Sequence, residues 1–392
     1  MFAVFPTARK AAARLFLILS ALWLAACEPV AMTGGGGPAL SPSEAVPVAL
    51  LVPHGSGNAG EAQLARDLEA AARMAVADLQ GVRIDLRVYG TAGQAAQAQN
   101  AARNAVADGA KIIVGPLHAE SANAVAVAVA PSGVNVLAFS NNPTIAGGNL
   151  FILGTTFDNI ASRLSRHAVR NGKKRIVSVY SNNLAGQLGQ EAIARAAASS
   201  GATLVAAVPY DFSQQGVVSA VPQIASAVRG GNADALFLTA NTAGALPLFS
   251  QMLPEAGLDP ATLQYIGLTR WDQPAQTLDL PGVQGGWFAL PDPQTTAQFE
   301  QRFQAANGRS PHALAGLGYD GIAAIGALAK AGRSDALSRG RLTQGAGFRG
   351  ANGIFRLRPD GTNERGLAIA SVRDRRLVIL ENAPSSFGGA GF

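Results

Sequence analysis

Val46-Pro47-Val48-Ala49-Leu50-Leu51-Val52 is a short apolar run that reads as a buried strand, and the fold follows from what comes after it. Leu64, Leu68, Ala71, Ala75 and Leu79 then recur on one helical face across 61–80. Val82-Arg83-Ile84-Asp85-Leu86-Arg87-Val88 alternates with period two and suits a more exposed strand. Ala95, Ala98, Ala102 and Val106 mark another helix, and Lys111-Ile112-Ile113-Val114 is a strand ended by Gly115-Pro116. Residues 119–130 are rich in valine and suit a strand by propensity. However, Val134-Asn135-Val136-Leu137-Ala138 follows too closely for a further crossover. A parallel sheet needs a helix between strands, so 120–130 is read as that helix, closed by Pro131.

The alternation restarts after Phe157, where Ile160, Leu164 and Ala168 share a helical face. Strands are expected at 176–180, 203–208, 234–239, 263–268 and 284–290, with helices near 184–199, 217–229 and 242–253 between them. Phe299 and Phe303 punctuate a helix, and 312–331 is a long Ala-rich one. The tail changes character: 353–357, 367–371 and 376–380 are strands separated by turn residues such as Pro359-Asp360-Gly361. Repeated β-α units of this kind give doubly wound parallel sheets, and two runs imply two α/β domains with C-terminal strands. Ligands in such sheets bind beyond the carboxyl ends of the strands. The loops at 53–60, 116–121, 139–144, 180–187 and 239–244 are therefore where function is expected.

Upstream of Val46 the chain has a different task. Arg9, Lys10 and Arg14 precede an apolar run through Leu24 that is too short for a comfortable membrane span. Leu24-Ala25-Ala26-Cys27 then resembles the bacterial lipobox, and Cys27 is the only cysteine of the chain. The resemblance implies cleavage before Cys27, lipidation of its thiol and acylation of the new amino terminus. Glu28 stands where an inner-membrane retention signal often has Asp, so that resemblance favours the periplasmic face of the outer membrane. Residues 28–45, with Gly34-Gly35-Gly36-Gly37-Pro38, read as a flexible tether. Loss of residues 1–26 takes the formal charge from +6 to +3, so part of the apparent basicity belongs to targeting. No long basic run with interleaved aromatics occurs, and no nucleic-acid partner is expected. With Cys27 acylated no disulfide is possible, so stability must come from core burial.

The strand-end loops contain little catalytic chemistry. Gly55, Gly57 and Gly60 match G-x-G-x-x-G, the pattern that brings a pyrophosphate to a helix N-terminus. The second strand ends Val88-Tyr89-Gly90-Thr91, without the acid that would hold a ribose, so no cofactor is expected. The four histidines, His54, His118, His167 and His312, do not stand at H-E-x-x-H spacing, and no G-x-S-x-G or S-x-x-K is present. His54 and His118 fall on loops that can meet in space, but neither has an evident carboxylate partner for a metal site. An enzyme is therefore not expected. Ser121 starts a helix and Ser140, Asn141 and Asn142 end a strand, positions that suit either capping or receipt of a ligand carboxylate.

From Val46 to about Leu380 the order of elements resembles the periplasmic binding protein type I fold, closest to its Leu/Ile/Val-binding receptors. The local stretches that carry the resemblance are Ile112-Ile113-Val114-Gly115-Pro116-Leu117, Val136-Leu137-Ala138-Phe139-Ser140-Asn141-Asn142-Pro143, Gly318-Tyr319-Asp320-Gly321 and Phe348-Arg349-Gly350 with Gly353-Ile354-Phe355 and Asp360-Gly361. It implies two lobes closing on a small ligand, 46–155 with 291–346 and 156–290 with 347–392. By position it makes Ser121, Ser140 and Asn141 ligand contacts, with Tyr180 and Asn241 opposite them. The receptors' acid for a ligand ammonium is missing from Thr239-Ala240-Asn241-Thr242, which argues against a zwitterionic amino acid.

The lipobox, the fold and the Gly-Pro-Leu loop also resemble lipoproteins that activate penicillin-binding proteins. That narrower resemblance implies a non-enzymatic regulator of peptidoglycan synthesis whose partner is a penicillin-binding protein. The alternative is a solute receptor of an ABC transporter for an amino acid or related small ligand.

Overall fold

Strand β1 (Val46–Val52) is buried on both faces, Val48, Leu50 and Val52 entering one core and Ala49 and Leu51 another. In the computed structural model, which describes residues 37–388, β1 lies inside a five-stranded sheet of order β2-β1-β3-β4-β5. Its partners are β2 (Ile84–Gly90), β3 (Ile112–Val114), β4 (Asn135–Ala138) and β5 (Leu150–Ile152), all parallel. The helices α1 (Ala59–Asp78), α2 (Ala95–Ala107) and α3 (Ala119–Val129) make the crossovers. In α3 the valine-rich segment is a helix: Ala122, Val125, Ala126 and Val129 face the core while Val127 faces solvent. Cys27 and the segment before Gly37 lie outside the described residues.

The second sheet has seven strands in the order β15-β14-β10-β9-β8-β6-β7. β6 (Arg175–Ser181), β7 (Thr203–Tyr210), β8 (Ala235–Leu238), β9 (Gln264–Gly267) and β10 (Trp287–Pro291) are parallel. Helices α4 (Phe157–Arg170), α5 (Leu184–Ser200), α6 (Gln214–Gly230) and α7 (Leu246–Glu255) cover its faces, each of which has its own apolar core. β14 (Leu367–Arg373) and β15 (Arg376–Glu381) add antiparallel edges. β10 starts later than expected because Pro281–Val283 form a 3-10 turn and Gly285 turns the chain at φ 74°. Helices α8 (Pro293–Asn307) and α9 (Gly316–Ala329) return to the first sheet, followed by the small sheet β11 (Phe348–Gly350), β12 (Gly353–Leu357) and β13 (Asn363–Arg365). No helix of the described residues is long and apolar enough to cross a membrane.

The chain passes between the two sheets three times: after β5, between β10 and α8, and at Gly366 between β13 and β14. The last crossing corrects the expected division at 347, because Phe348, Phe355 and Leu357 belong to the first sheet's core. Residues 37–45 are likewise not a free tether. Leu40 is buried in that core, and its N–H donates to the Ser334 carbonyl at 2.9 Å. One leucine among small and polar residues is enough to seat the segment.

The last strand is pinned to α4 by charge. Glu381 Oε1 accepts from His167 Nδ1 at 2.6 Å, and Oε2 accepts from Arg170 Nη2 at 2.8 Å and lies 2.9 Å from Arg163 Nη1. Burial pushes the Glu381 carboxyl up, but the hydrogen bonds from Arg170 and His167 and the Arg163 charge outweigh it, holding it at about 2 against 4.5. A carboxyl lowered by folding stabilises the fold fully above its unfolded value, and that stability is lost as pH falls toward the folded one. The gap in urea midpoint between wild type and Glu381→Gln is therefore expected to be constant above about pH 5 and to shrink from there toward pH 2. A gap that does not change with pH would remove Glu381 from this role.

Candidate functional site

A cleft of about 580 Å³ opens between the carboxyl ends of the two sheets. From the first sheet come Leu117, His118 and Ala119 after β3, and Phe139, Ser140 and Asn141 after β4. Gly115 sets the first loop at φ 93°, and its N–H donates to the Leu137 carbonyl at 2.8 Å. Phe139 N–H in turn donates to the Pro116 carbonyl at 2.9 Å, so the two loops are tied together. Ser140 Oγ accepts from the Asn142 N–H at 3.1 Å, leaving the Ser140 hydroxyl hydrogen for a ligand.

The opposite wall is β10, through Ala289, Leu290 and Pro291, with Ile160 of α4 and the loop after β9. That loop brings Arg270 and Gln273 to the cleft. Arg270 Nε donates to Asp272 Oδ1 at 2.9 Å and Nη2 to Oδ2, which fixes the guanidinium and leaves its other N–H groups free. Beneath it Trp271 is fully buried, with its indole ring against Gly267 and Gly286 and its N–H without a partner. A Cβ at either glycine would collide with that ring, so Gly286→Ala is expected to displace the Arg270 loop and weaken ligand binding several-fold, read by calorimetry. Unchanged affinity with an unmoved loop would show that the indole does not set the loop.

Of the expected ligand contacts, Ser140 and Asn141 line the cleft, and Ser121, Tyr180 and Asn241 do not. Ser121 is buried because α3 begins at Ala119 with His118 at its N-cap, which turns Ser121 inward. Tyr180 is next to last in β6, which lies beyond β9 and β8 from the β10 wall, roughly 14 Å at the usual strand spacing. Asn241 follows β8, which lies beyond β9 from that wall. Its loop braces the Arg270 loop, as Thr242 Oγ1 donates to the Gln273 carbonyl at 2.8 Å and Thr269 Oγ1 to the Ala240 carbonyl at 3.2 Å.

His54 and His118 also differ from expectation, since each has a carboxylate partner on α1. His118 Nε2 lies 3.1 Å from Glu61 and His54 Nε2 3.0 Å from Glu69. Asn58 Oδ1 accepts from the Gly60 and Glu61 N–H groups, which caps the helix at the G-x-G-x-x-G loop and occupies the donors a phosphate would need. Among the described residues no cluster could hold a metal ion. The cleft is thus mostly apolar, with Arg270 as its one permanent charge and no carboxylate on its wall.

A family model described as periplasmic binding protein matches residues 45–376. No curated protein matches the chain significantly. Among solved structures, a Rhodospirillum rubrum protein provisionally assigned as a branched-chain amino acid ABC transporter is similar at a TM-score of 0.72 and 18% identity, over 86% of this chain and 100% of its own. A Desulfitobacterium hafniense ABC transporter substrate-binding protein in complex with Leu gives 0.62 and 18%, over 86% and 100%. An R. palustris ABC transporter solute-binding protein in complex with benzoate gives 0.57 and 18%, over 89% and 99%.

Proposed function

Because this chain belongs to the periplasmic binding protein family, we propose that it is the solute receptor of an ABC transporter and that its ligand is a small organic acid with an apolar body. The observation that carries this reading is the cleft wall: Arg270 among apolar side chains, with no carboxylate to receive an ammonium. A buried ammonium without an anionic partner is costly, whereas a carboxylate meeting Arg270, the Ser140 hydroxyl and Asn141 is matched. One solved structure similar to this chain holds benzoate and another Leu. The wall chemistry of this chain favours the first kind of ligand. The first sheet with α8, α9 and β11–β13 would form one lobe and the second sheet the other, closing about the three crossings.

Calorimetry with benzoate, 4-methyl-2-oxopentanoate and leucine tests the reading. The two acids are expected to bind saturably and leucine more weakly. Arg270→Ala should weaken acid binding roughly tenfold to a hundredfold, since charge-assisted hydrogen bonds contribute about 1.5–3 kcal/mol. Tight leucine binding without acid binding would overturn the ligand class.

A second reading is activation of a penicillin-binding protein by a lipoprotein anchored at the outer membrane through Cys27. It draws on the lipobox and on the same missing acid, and the similar structures are transport proteins. Failure of every small acid to bind, together with stimulation of a peptidoglycan synthase by the purified chain, would favour it.

A further inference from the structure

Behind the first crossing lies a second cavity of about 410 Å³ that shares no wall residue with the cleft. Arg163 and Arg166 of α4, Arg195 of α5, and Arg358 and Arg365 from the β12–β13 region all line it. Most of these cations are already matched. Arg195 pairs with Asp158, Arg365 with Asp320, and Arg358 with Glu364. The carboxylates are also shared, because Glu364 takes Arg356 as well as Arg358, and Glu381 takes Arg170 as well as Arg163. Exposed Asp360 is turned to the Thr362 N–H and hydroxyl.

Arg166 is left over. It is half-buried, makes no ion pair with any described residue, and its Nε is buried without a hydrogen-bond partner. The attraction it does feel, from the charge of Glu364, is shared with Arg356 and Arg358, and a half-buried guanidinium so under-neutralised is unfavourable unless a further anion joins it. We propose that this cavity is a binding site for a multivalent oxyanion, a phosphate ester or a polycarboxylate, with Arg166 as its principal contact. The planar guanidinium fork matches both chemistries, and the volume exceeds that of a bare phosphate. The walls come from elements on either side of the first and third crossings, so the bound anion joins the two sheets. The site does not depend on what the cleft binds.

Calorimetry on the full chain at matched ionic strength, with inorganic phosphate, pyrophosphate and citrate, tests this. Saturable binding of at least one is expected, and which one binds separates the phosphate class from the polycarboxylate class. Arg166→Ala should weaken it about tenfold or more, while Arg341→Ala, at a surface pair with Asp335, leaves it unchanged. Arg166 has no bond whose loss would unfold the chain. Should that variant nevertheless fail to fold, Arg195→Ala provides the same comparison. No saturable binding of any of the three, or equal affinity in wild type and Arg166→Ala, overturns the proposal.

Discussion

Asp320→Ala is expected to cost about 3–5 kcal/mol of folding stability, the range for breaking a buried ion pair on one side. Asp320 sits in α9 with both oxygens engaged: Oδ1 accepts from the Ala351 N–H at 2.7 Å and Oδ2 from Arg365 Nη2 at 2.8 Å. Arg365 also donates through Nε to the Leu153 carbonyl at 2.8 Å and lies over the Phe355 ring. Truncation leaves that guanidinium buried and unmatched. Burial pushes the Asp320 carboxyl above its ordinary range even with Arg365 beside it, so desolvation outweighs attraction in this pair. The pair therefore contributes less by its charge than by fixing α9, the small sheet and the first crossing in one arrangement. The double variant Asp320→Leu with Arg365→Met should accordingly cost less than Asp320→Ala alone, although the Ala351 N–H then lacks its acceptor. Urea unfolding compares the two, and equal losses would contradict the argument.

Gly115→Ala should be nearly as damaging, and it should reach the cleft as well as the core. At φ 93° a side chain is strained whatever the space, for roughly 1–3 kcal/mol. The added Cβ would also collide with the Leu51 carbonyl oxygen in β1, and such overpacking costs about 1–3 kcal/mol more. Relief requires the loop to shift, and that loop carries Leu117, His118 and Ala119 into the cleft. Together roughly 2–6 kcal/mol of stability and at least about a tenfold loss of ligand affinity are expected. A variant with wild-type urea midpoint and affinity would show that the loop accommodates a methyl group.

These two positions lie in stretches that carried the family resemblance, Gly115-Pro116-Leu117 and Gly318-Tyr319-Asp320-Gly321, and the strain and burial found there give those stretches a physical basis. The β-α alternation was legible because the inner parallel strands such as β1, β3 and β4 are buried apolar runs, while β2 at the edge alternates and most helices bury a single face. Even the valine-rich 119–129 yielded to the spacing of its neighbours. The first wall of the cleft followed from the strand-end rule, which placed Ser140 and Asn141. The second wall did not, because sequence order hides strand order: β6 comes first in its half of the chain but lies away from the cleft edge. Applying the same rule to β9 would have pointed to Thr269-Arg270-Trp271-Asp272-Gln273, the loop that lines it. Phe348 was expected in the other lobe and Leu40 in a tether, because a single apolar residue does not show against which sheet it packs.

The clamp on Trp271 has an optical consequence. Of the three tryptophans, Trp23 precedes Cys27 outside the described residues, Trp287 meets His167 edge-on with ring centroids 4.5 Å apart, and Trp271 is sealed beside Arg270 with no hydrogen bond to its indole. An indole in dry surroundings emits at short wavelength and responds to nearby charge. An anion arriving at Arg270 changes the field across that ring, so ultraviolet emission from the unlabelled protein should report occupancy of the cleft, with Trp287 as a steady background.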